Sequence, residues 1–264
     1  MRRFAVVAAG LAIVAVAGCG SSTSSKPATG STGTRSVGTS TSGSITVFAA
    51  ASLQGSFTQL GKQFQALNPG SKVTFSFGPS SGLATQIING APADVFASAA
   101  VKNMDQVVSA GKAAGPSDFA KNKMEIAVPP SNPGHVSSLN NLAKPSVKVA
   151  VCQSQVPCGV VAKQVFKNAG ISVIPVTLET DVKSVLTKVE LGDVDAGMVY
   201  VTDVMAAGSK VKGVKIPDGD NATTTYPIAS VTKSSHASTA RAFVNYVLSP
   251  TGEKVLKAAG FESP

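Results

Sequence analysis

The chain has no tryptophan, only two histidines (His135 and His236) and three cysteines in 264 residues. It contains no CxxC or HxxxH pairing. So few thiol and imidazole ligands argue against a metal centre held directly by side chains. Charge is scarce too: Asp, Glu, Lys and Arg make up 14% of residues. A disordered chain or a nucleic-acid specialist would carry more. No apolar run is long enough for a spanning helix, which needs about 20 residues. What the chain does have is Gly 25 and Pro 15, hence many short connections, and 43% hydrophobic residues. That length and apolar content can build one large domain or two lobes.

The N-terminus reads as an export signal. Arg2 and Arg3 precede an apolar run over residues 4–16, and Val16-Ala17-Gly18-Cys19 follows. Small residues directly before Cys19 resemble the bacterial lipoprotein signal. This implies a signal peptide over 1–18, cleavage before Cys19, lipid on its sulfur, and a protein outside the cytoplasm anchored to the cell membrane. Residues 19–44 are dominated by Ser, Thr and Gly and read as a flexible linker, about 25–30 Å root-mean-square as a coil. The formal charge is +9. Without Arg2, Arg3, Lys26 and Arg35 the body keeps 19 basic and 14 acidic residues, a mild excess that reads as solvated surface. With Cys19 lipidated, Cys152 and Cys158 can pair only with each other. An oxidising compartment favours that disulfide over two buried thiols.

The body is organised around Ile45-Thr46-Val47-Phe48-Ala49-Ala50-Ala51-Ser52-Leu53. It reads as a strand buried on both faces. Leu53, Phe57, Leu60, Phe64 and Leu67 then recur at helical spacing, with Ser52 as the expected N-cap. Small alanines leave open space where strand meets helix, faced by a hydroxyl and free backbone N–H groups. Val73-Thr74-Phe75-Ser76-Phe77 and Asp94-Val95-Phe96-Ala97-Ser98-Ala99 read as further strands, each followed by a helix. This alternation predicts an open, mostly parallel sheet. From Met124 a second series begins. Strands are expected at 124–128, 147–151, 173–178 and 196–201, with helices opening at Pro157-Cys158-Gly159 and at Asp181-Val182. That set reads as a separate sheet. Tyr226-Pro227-Ile228-Ala229-Ser230-Val231 and the helices after it are expected to return to the first lobe. The expected division is 45–123, 124–222 and 223–264.

Four helix starts thus look alike: after Ser52, at Ser80-Ser81, at Cys158-Gly159 and at Asp181-Val182. Ligands of open α/β sheets bind beyond the carboxyl ends of strands. Two facing lobes would aim four helix N-termini, each about half a positive charge, at one cleft. No basic residue lies in 45–61 or 73–90. The pattern therefore favours neutral donors around an anion that carries no proton.

Here the chain resembles the periplasmic molybdate-binding proteins of ABC importers. The resemblance rests on the organising stretch, on Ser80-Ser81-Gly82-Leu83-Ala84, Gly90-Ala91-Pro92-Ala93-Asp94-Val95-Phe96, Val156-Pro157-Cys158-Gly159 and Val199-Tyr200, and on the ending through Ser249-Pro250 to Gly260-Phe261. It covers residues 44–264. It implies an α/β, two-lobed periplasmic-binding-protein fold of type II, each lobe a mixed, mostly parallel sheet flanked by helices. It also implies a monomer that closes on tetrahedral molybdate or tungstate and delivers it to an ABC permease, with no cofactor, no nucleic-acid partner and no metal ligated directly by the protein. Carried over by motif position, Ser52 and Ser80 give hydroxyl and backbone donors, Cys158 and Val182 give backbone N–H groups, and Tyr200 gives its phenol. Position 158 is often Ala in such proteins; a backbone donor tolerates Cys there. Asp181 has to turn away from the anion for the assignment to hold.

Three other readings compete. Sulfate or another tetrahedral oxyanion would use the same clamp. Gly78-Pro79-Ser80-Ser81-Gly82 also fits the G-x-S-x-G nucleophile elbow, with Asp195 or Asp203 and then His236 completing a serine-hydrolase order. That reading lacks the several strands that should precede such an elbow and an oxyanion segment. A surface adhesin would leave the paired serine motifs unexplained.

Overall fold

Strand β1 (Gly43–Ala50) runs at the centre of the first sheet, between β2 (Ser71–Gly78) and β3 (Val95–Ala97), parallel to both. A computed structural model describes residues 41–264. The expected signal peptide, Cys19 and most of the linker lie outside them. The fold begins slightly before Ile45: Gly43 N–H donates to the Gly70 carbonyl, and the Ser42 carbonyl accepts from Thr239.

After β1 a single 3-10 turn, Ala51–Leu53, leads into helix α1 (Gln54–Leu67). This helix buries Phe57, Leu60 and Phe64 against the sheet. Phe57 packs edge-on with Phe75 and Phe243, at ring centroids 6.3 and 6.2 Å apart. Helix α2 (Ser80–Ile88) follows β2, and α3 (Val101–Ser109) follows β3.

The second lobe has parallel strands β5 (Val149–Cys152), β6 (Thr177–Glu179) and β7 (Ala196–Tyr200). Around them lie α4 (Pro157–Asn168), α5 (Val182–Glu190) and α6 (Val201–Ala207). Its core gathers the valine-rich faces of these elements, including Val149, Val165, Val185 and Val189. A disulfide joins Cys152 to Cys158, Cα atoms 5.7 Å apart, tying the end of β5 to the first turn of α4.

Two strands join the lobes. Strand β4 (Ala113–Val128) spans 16 residues, of which Ala113 to Lys123 pair with β9 (Thr223–Val231) and Met124 to Ala127 pair with β7, all antiparallel. Short β8 (Lys212–Val214) also pairs with β4, before the chain returns through β9 beside β3. Helices α7 (Ala237–Val247) and α8 (Pro250–Ala258) then cover the first lobe. The order β2-β1-β3-β9-β4-β7-β5-β6 is thus one continuous path of hydrogen-bonded strands, not the two separate sheets expected from the sequence. The expected boundary at 123/124 falls inside β4, whose 112–123 approach carries Gly115 and Pro116 and no strand pattern in the sequence.

A further expectation changes in the second lobe. The strand expected over 173–178 shrinks to Thr177–Glu179, with Ile174 87% exposed. Only the last residues of that stretch reach β5, so pairing stops there.

Gly159 shows how tightly α4 sits on the disulfide loop. A Cβ there would overlap the Gln153 carbonyl oxygen and contact that of Cys152. Gly159→Ala is expected to destabilise the body by about 2 kcal/mol, the overpacking range. Calorimetry should register this as a fall in Tm of roughly 4–8 °C.

Candidate functional site

The strand ends create the site. Ala50 pairs level with Gly78, so β1 and β2 stop side by side. The 51–53 turn and the start of α2 therefore lie next to each other. In the second lobe Cys152 pairs level with Glu179, which sets the starts of α4 and α5 alongside one another. Between the two pairs lies a cavity lined by Ser52, Ser80, Cys158, Val182 and Tyr200, together with Ala99 and Asp181. All five residues carried over from sequence motifs thus face one space. Its volume is about 20 Å³. About one probe sphere, 10–15 Å³, is the minimum for a single water on this measure. An amino acid or sugar does not fit with the lobes placed this way.

The donors can be followed one at a time. The first N–H groups of a helix have no partner within it. The N–H groups of Ser80, Cys158 and Val182 stand at or near the starts of α2, α4 and α5. None of them donates to any other part of the described chain. Ser80 Oγ accepts the Ala99 N–H at 2.9 Å, so its own proton remains for another acceptor. The Ala99 carbonyl is held in turn by the Thr224 hydroxyl at 2.5 Å. The Tyr200 hydroxyl is buried and has no hydrogen-bond partner among the described residues. Burial, the neighbouring Tyr226 and the Asp203 carboxyl push its pKa well above the usual phenol value. It therefore stays a donor at any physiological pH.

Ser52 departs from expectation. It does not cap α1: it is the middle residue of the 3-10 turn, and its Oγ lies 2.9 Å from the Tyr226 hydroxyl. A partner 174 residues away has replaced the local cap. Tyr226, Asn122 and Thr202, which line up behind Ser52, were read from the sequence only as strand, unassigned and helix residues. The scarcity of tyrosine is the one hint at Tyr226; nothing periodic marks Asn122.

No lysine, arginine or histidine lines the cavity. Its one charged residue, Asp181, is the N-cap of α5 and accepts the Ser184 N–H at 3.0 Å. One oxygen of the carboxylate is thus engaged along its own helix, while the residue still lines the cavity. A second acid, Asp203, is fully buried just below. It accepts the Tyr200 N–H at 3.1 Å and pairs with Lys183 at 2.8 Å. Burial raises its pKa, and Lys183 works against that shift.

The hydrolase constellation is not assembled. Asp195 is bound to the Lys148 N–H and Asp203 to Lys183. His236 packs beside Gly43, at the opposite end of β1 from Ala50. Seven strand residues separate those ends, about 23 Å. Ser80 has no base.

The sequence matches the family of bacterial extracellular solute-binding proteins over residues 45–262. The chain belongs to this family. It is a solute-binding protein rather than an enzyme, and it works outside the cytoplasm. It is 43% identical over 254 residues to the molybdate-binding protein ModA of Mycobacterium tuberculosis, spanning 96% of this chain and 94% of that one. With the molybdate-binding protein ModA of Escherichia coli it shares 32% over 234 residues, 83% of this chain and 89% of the other. Among solved structures it resembles the periplasmic molybdate-binding protein of Azotobacter vinelandii, with a TM-score of 0.74 at 23% identity over 83% of this chain and 99% of that one. The sulfate-binding protein SubI of Mycobacterium tuberculosis has the same fold, with a TM-score of 0.72 at 20% identity over 83% of this chain and 86% of that one.

The Asp203–Lys183 pair gives a test with a defined pH sign. Lys183→Met leaves the Asp203 charge buried without its partner. Removing one partner of a buried pair costs about 3–5 kcal/mol. Lys183 is 26% exposed, so roughly 2–4 kcal/mol is expected at pH 7 after allowing for solvent screening. A carboxyl whose folded pKa is raised binds its proton more tightly when folded, so it destabilises above that pKa and relaxes below it. The deficit of Lys183→Met in thermal melts should therefore shrink as pH falls from 7 toward 5.

Proposed function

We propose that the protein captures molybdate, and tungstate with it, between its two lobes and hands the anion to an ABC permease. The observation that carries this reading is the donor-rich cavity: serine and tyrosine hydroxyls and helix-start N–H groups from both lobes, no side-chain cation, and a single carboxylate, Asp181, that caps α5. An isolated dianion moved out of water incurs a large desolvation penalty, so it needs many hydrogen bonds at once. Fixed N–H and O–H dipoles supply them without the strength of a buried ion pair, which keeps release possible. A wall made mainly of donors also suits an oxyanion fully ionised at neutral pH, because a protonated one would need an acceptor. The small cavity suits a compact occupant. The similarity to proteins named for molybdate favours that anion over its tetrahedral relatives.

In this reading Ser52, Ser80 and Tyr200 donate hydroxyl protons, and Ser52, Ser80, Cys158 and Val182 donate backbone N–H groups. Because donors come from both lobes, the anion binds the closed arrangement better than an open one, which is the requirement for closure. The anion is cargo, not a cofactor. The protein acts as a monomer held to the membrane through a lipid on Cys19, with residues 19–44 as its tether.

Two measurements test this. Thermal unfolding of the 44–264 body is run with molybdate, tungstate, sulfate and phosphate in turn. At a thousandfold excess over Kd a ligand adds about 4 kcal/mol. That raises Tm by roughly 8–16 °C for a body of this size. The rise is expected with molybdate and tungstate only; a rise with sulfate alone would change the cargo, and none at all would remove the reading. Titration calorimetry of Ser52→Ala and Ser80→Ala should each show a loss of about 1–3 kcal/mol in molybdate binding, the scale of a hydrogen bond to a charged group. Unchanged affinity in both would overturn the site assignment.

A further inference from the structure

Behind the cavity a chain of side chains runs from the second lobe to the first. Asn122 of β4 donates from Nδ2 to Thr202 Oγ1 at 2.8 Å and, over a longer 3.4 Å, to the Tyr226 hydroxyl oxygen. The Tyr226 hydroxyl lies 2.9 Å from Ser52 Oγ. Thr202 belongs to α6 of the second lobe, Asn122 and Tyr226 to the two joining strands, and Ser52 to the first lobe. All four are buried.

The direction of the Asn122 protons follows from one backbone group. Asn122 Oδ1 accepts the Lys123 N–H at 3.0 Å. A backbone N–H has only a proton to offer, so the amide oxygen must be on that side and the NH₂ on the other. An NH₂ nitrogen only donates. Its two protons go to Thr202 and Tyr226. The Tyr226 oxygen is therefore an acceptor toward Asn122, and it has one proton to give, with Ser52 Oγ and the Tyr200 hydroxyl beside it. With that proton on Ser52 Oγ, the serine proton points elsewhere, and the open side is the cavity.

We propose that Asn122 and Tyr226 are positioning residues that fix Ser52 as a one-way donor to the bound anion. The inference rests on the oxyanion reading of the cavity and deepens it. Ser80 is fixed in the same sense by the Ala99 N–H, but from the main chain of its own lobe. At Ser52 the orientation depends on side chains of the joining strands, and through Thr202 on the second lobe. Hydrogen bonds in such a series polarise one another, so the serine hydroxyl becomes a stronger donor as well as an oriented one. A serine left free to rotate accepts from a protonated oxyanion readily; one whose Oγ already accepts from Tyr226 is biased toward donating.

The test is a double-mutant cycle read by titration calorimetry with molybdate. The variants are Tyr226→Phe, Ser52→Ala and the two combined. Phenylalanine keeps the ring packed among Phe119, Tyr200 and Phe261, and thermal melts without anion check the fold. Tyr226→Phe alone is expected to weaken binding roughly tenfold, about one redirected hydrogen bond to a charge. In the Ser52→Ala background the same change should weaken it less than twofold, because Tyr226 acts only through that hydroxyl. Equal losses in both backgrounds would mean that Tyr226 serves packing, and would overturn the proposal. So would an unchanged Tyr226→Phe beside a weakened Ser52→Ala, which leaves the site reading intact. An inert Ser52→Ala would also overturn the proposal, and together with an inert Ser80→Ala it would remove the site reading itself. If Tyr226→Phe does not fold, Asn122→Ala enters the same cycle: a loss coupled to Ser52 supports the proposal and an additive loss overturns it.

Discussion

A double negative charge cannot be taken out of water unless enough donors converge on it at once. The rest of this structure follows from how the chain meets that condition with main-chain groups. Each lobe contributes a pair of parallel strands that end level, Ala50 with Gly78 and Cys152 with Glu179. Level ends place consecutive helix starts side by side, and helix starts are where the backbone has N–H groups to spare. One such pair would give a shallow anion patch. Two pairs facing each other line one cavity. The disulfide at Cys152 and Cys158 and the bare Cα of Gly159 then act as supports, holding the first turn of α4 against the end of β5.

The same condition shapes the joining strands. β4 pairs with strands of both lobes and β9 lies beside its first-lobe part, so groups placed where they meet lie behind the cavity. Ladder irregularities interrupt β4 between Ala114 and Ser117 and again between Asp118 and Ala120. Beyond them the pairing of Asn122 with Thr224 is regular, and there the side-chain network behind Ser52 is built. Bulges bend and twist a strand where they occur. Regular pairing beside the site and irregular pairing away from it fits a connection that must hold some hydroxyls fixed while the strand as a whole curves.

Legibility in the sequence follows the range of the interaction that decides each feature. Helix starts were readable because their causes are local: Pro157 at a first helical turn, Asp181 as an N-cap, and serine and glycine after a buried strand. The five cavity-lining positions came with them, since they sit on or beside those starts. Strand β4 was not readable. Its first half, Lys112-Ala-Ala-Gly-Pro-Ser-Asp-Phe-Ala-Lys-Asn-Lys123, is polar and carries Gly and Pro, and it becomes a strand only by pairing with β9 more than a hundred residues later. Ser52 failed in the opposite sense. A serine before an apolar helix is a good local cap, but Tyr226 offers a buried partner that a local rule cannot see. The 173–178 stretch has the composition of a strand, yet Ile174 and Val176 stay exposed because most of it finds no neighbour.

Two carboxylates beside an anion site look like a contradiction, and their arrangement resolves it. Asp181 caps Ser184, so it takes up one N–H of α5 while leaving that of Val182 to the cavity. Asp203 holds the Tyr200 backbone and is matched by Lys183 at 2.8 Å. The ion pair is nearly neutral seen from a distance, yet it fixes the main chain beneath the one phenol that lacks a partner. A bare lysine in that place would bind any anion strongly and by charge alone. Sequestering the cation on Asp203 leaves geometry and donor direction to discriminate among anions. In a protein that must release its cargo, that division is the more useful one: the charge stabilises the wall, and the hydroxyl and N–H protons recognise the occupant.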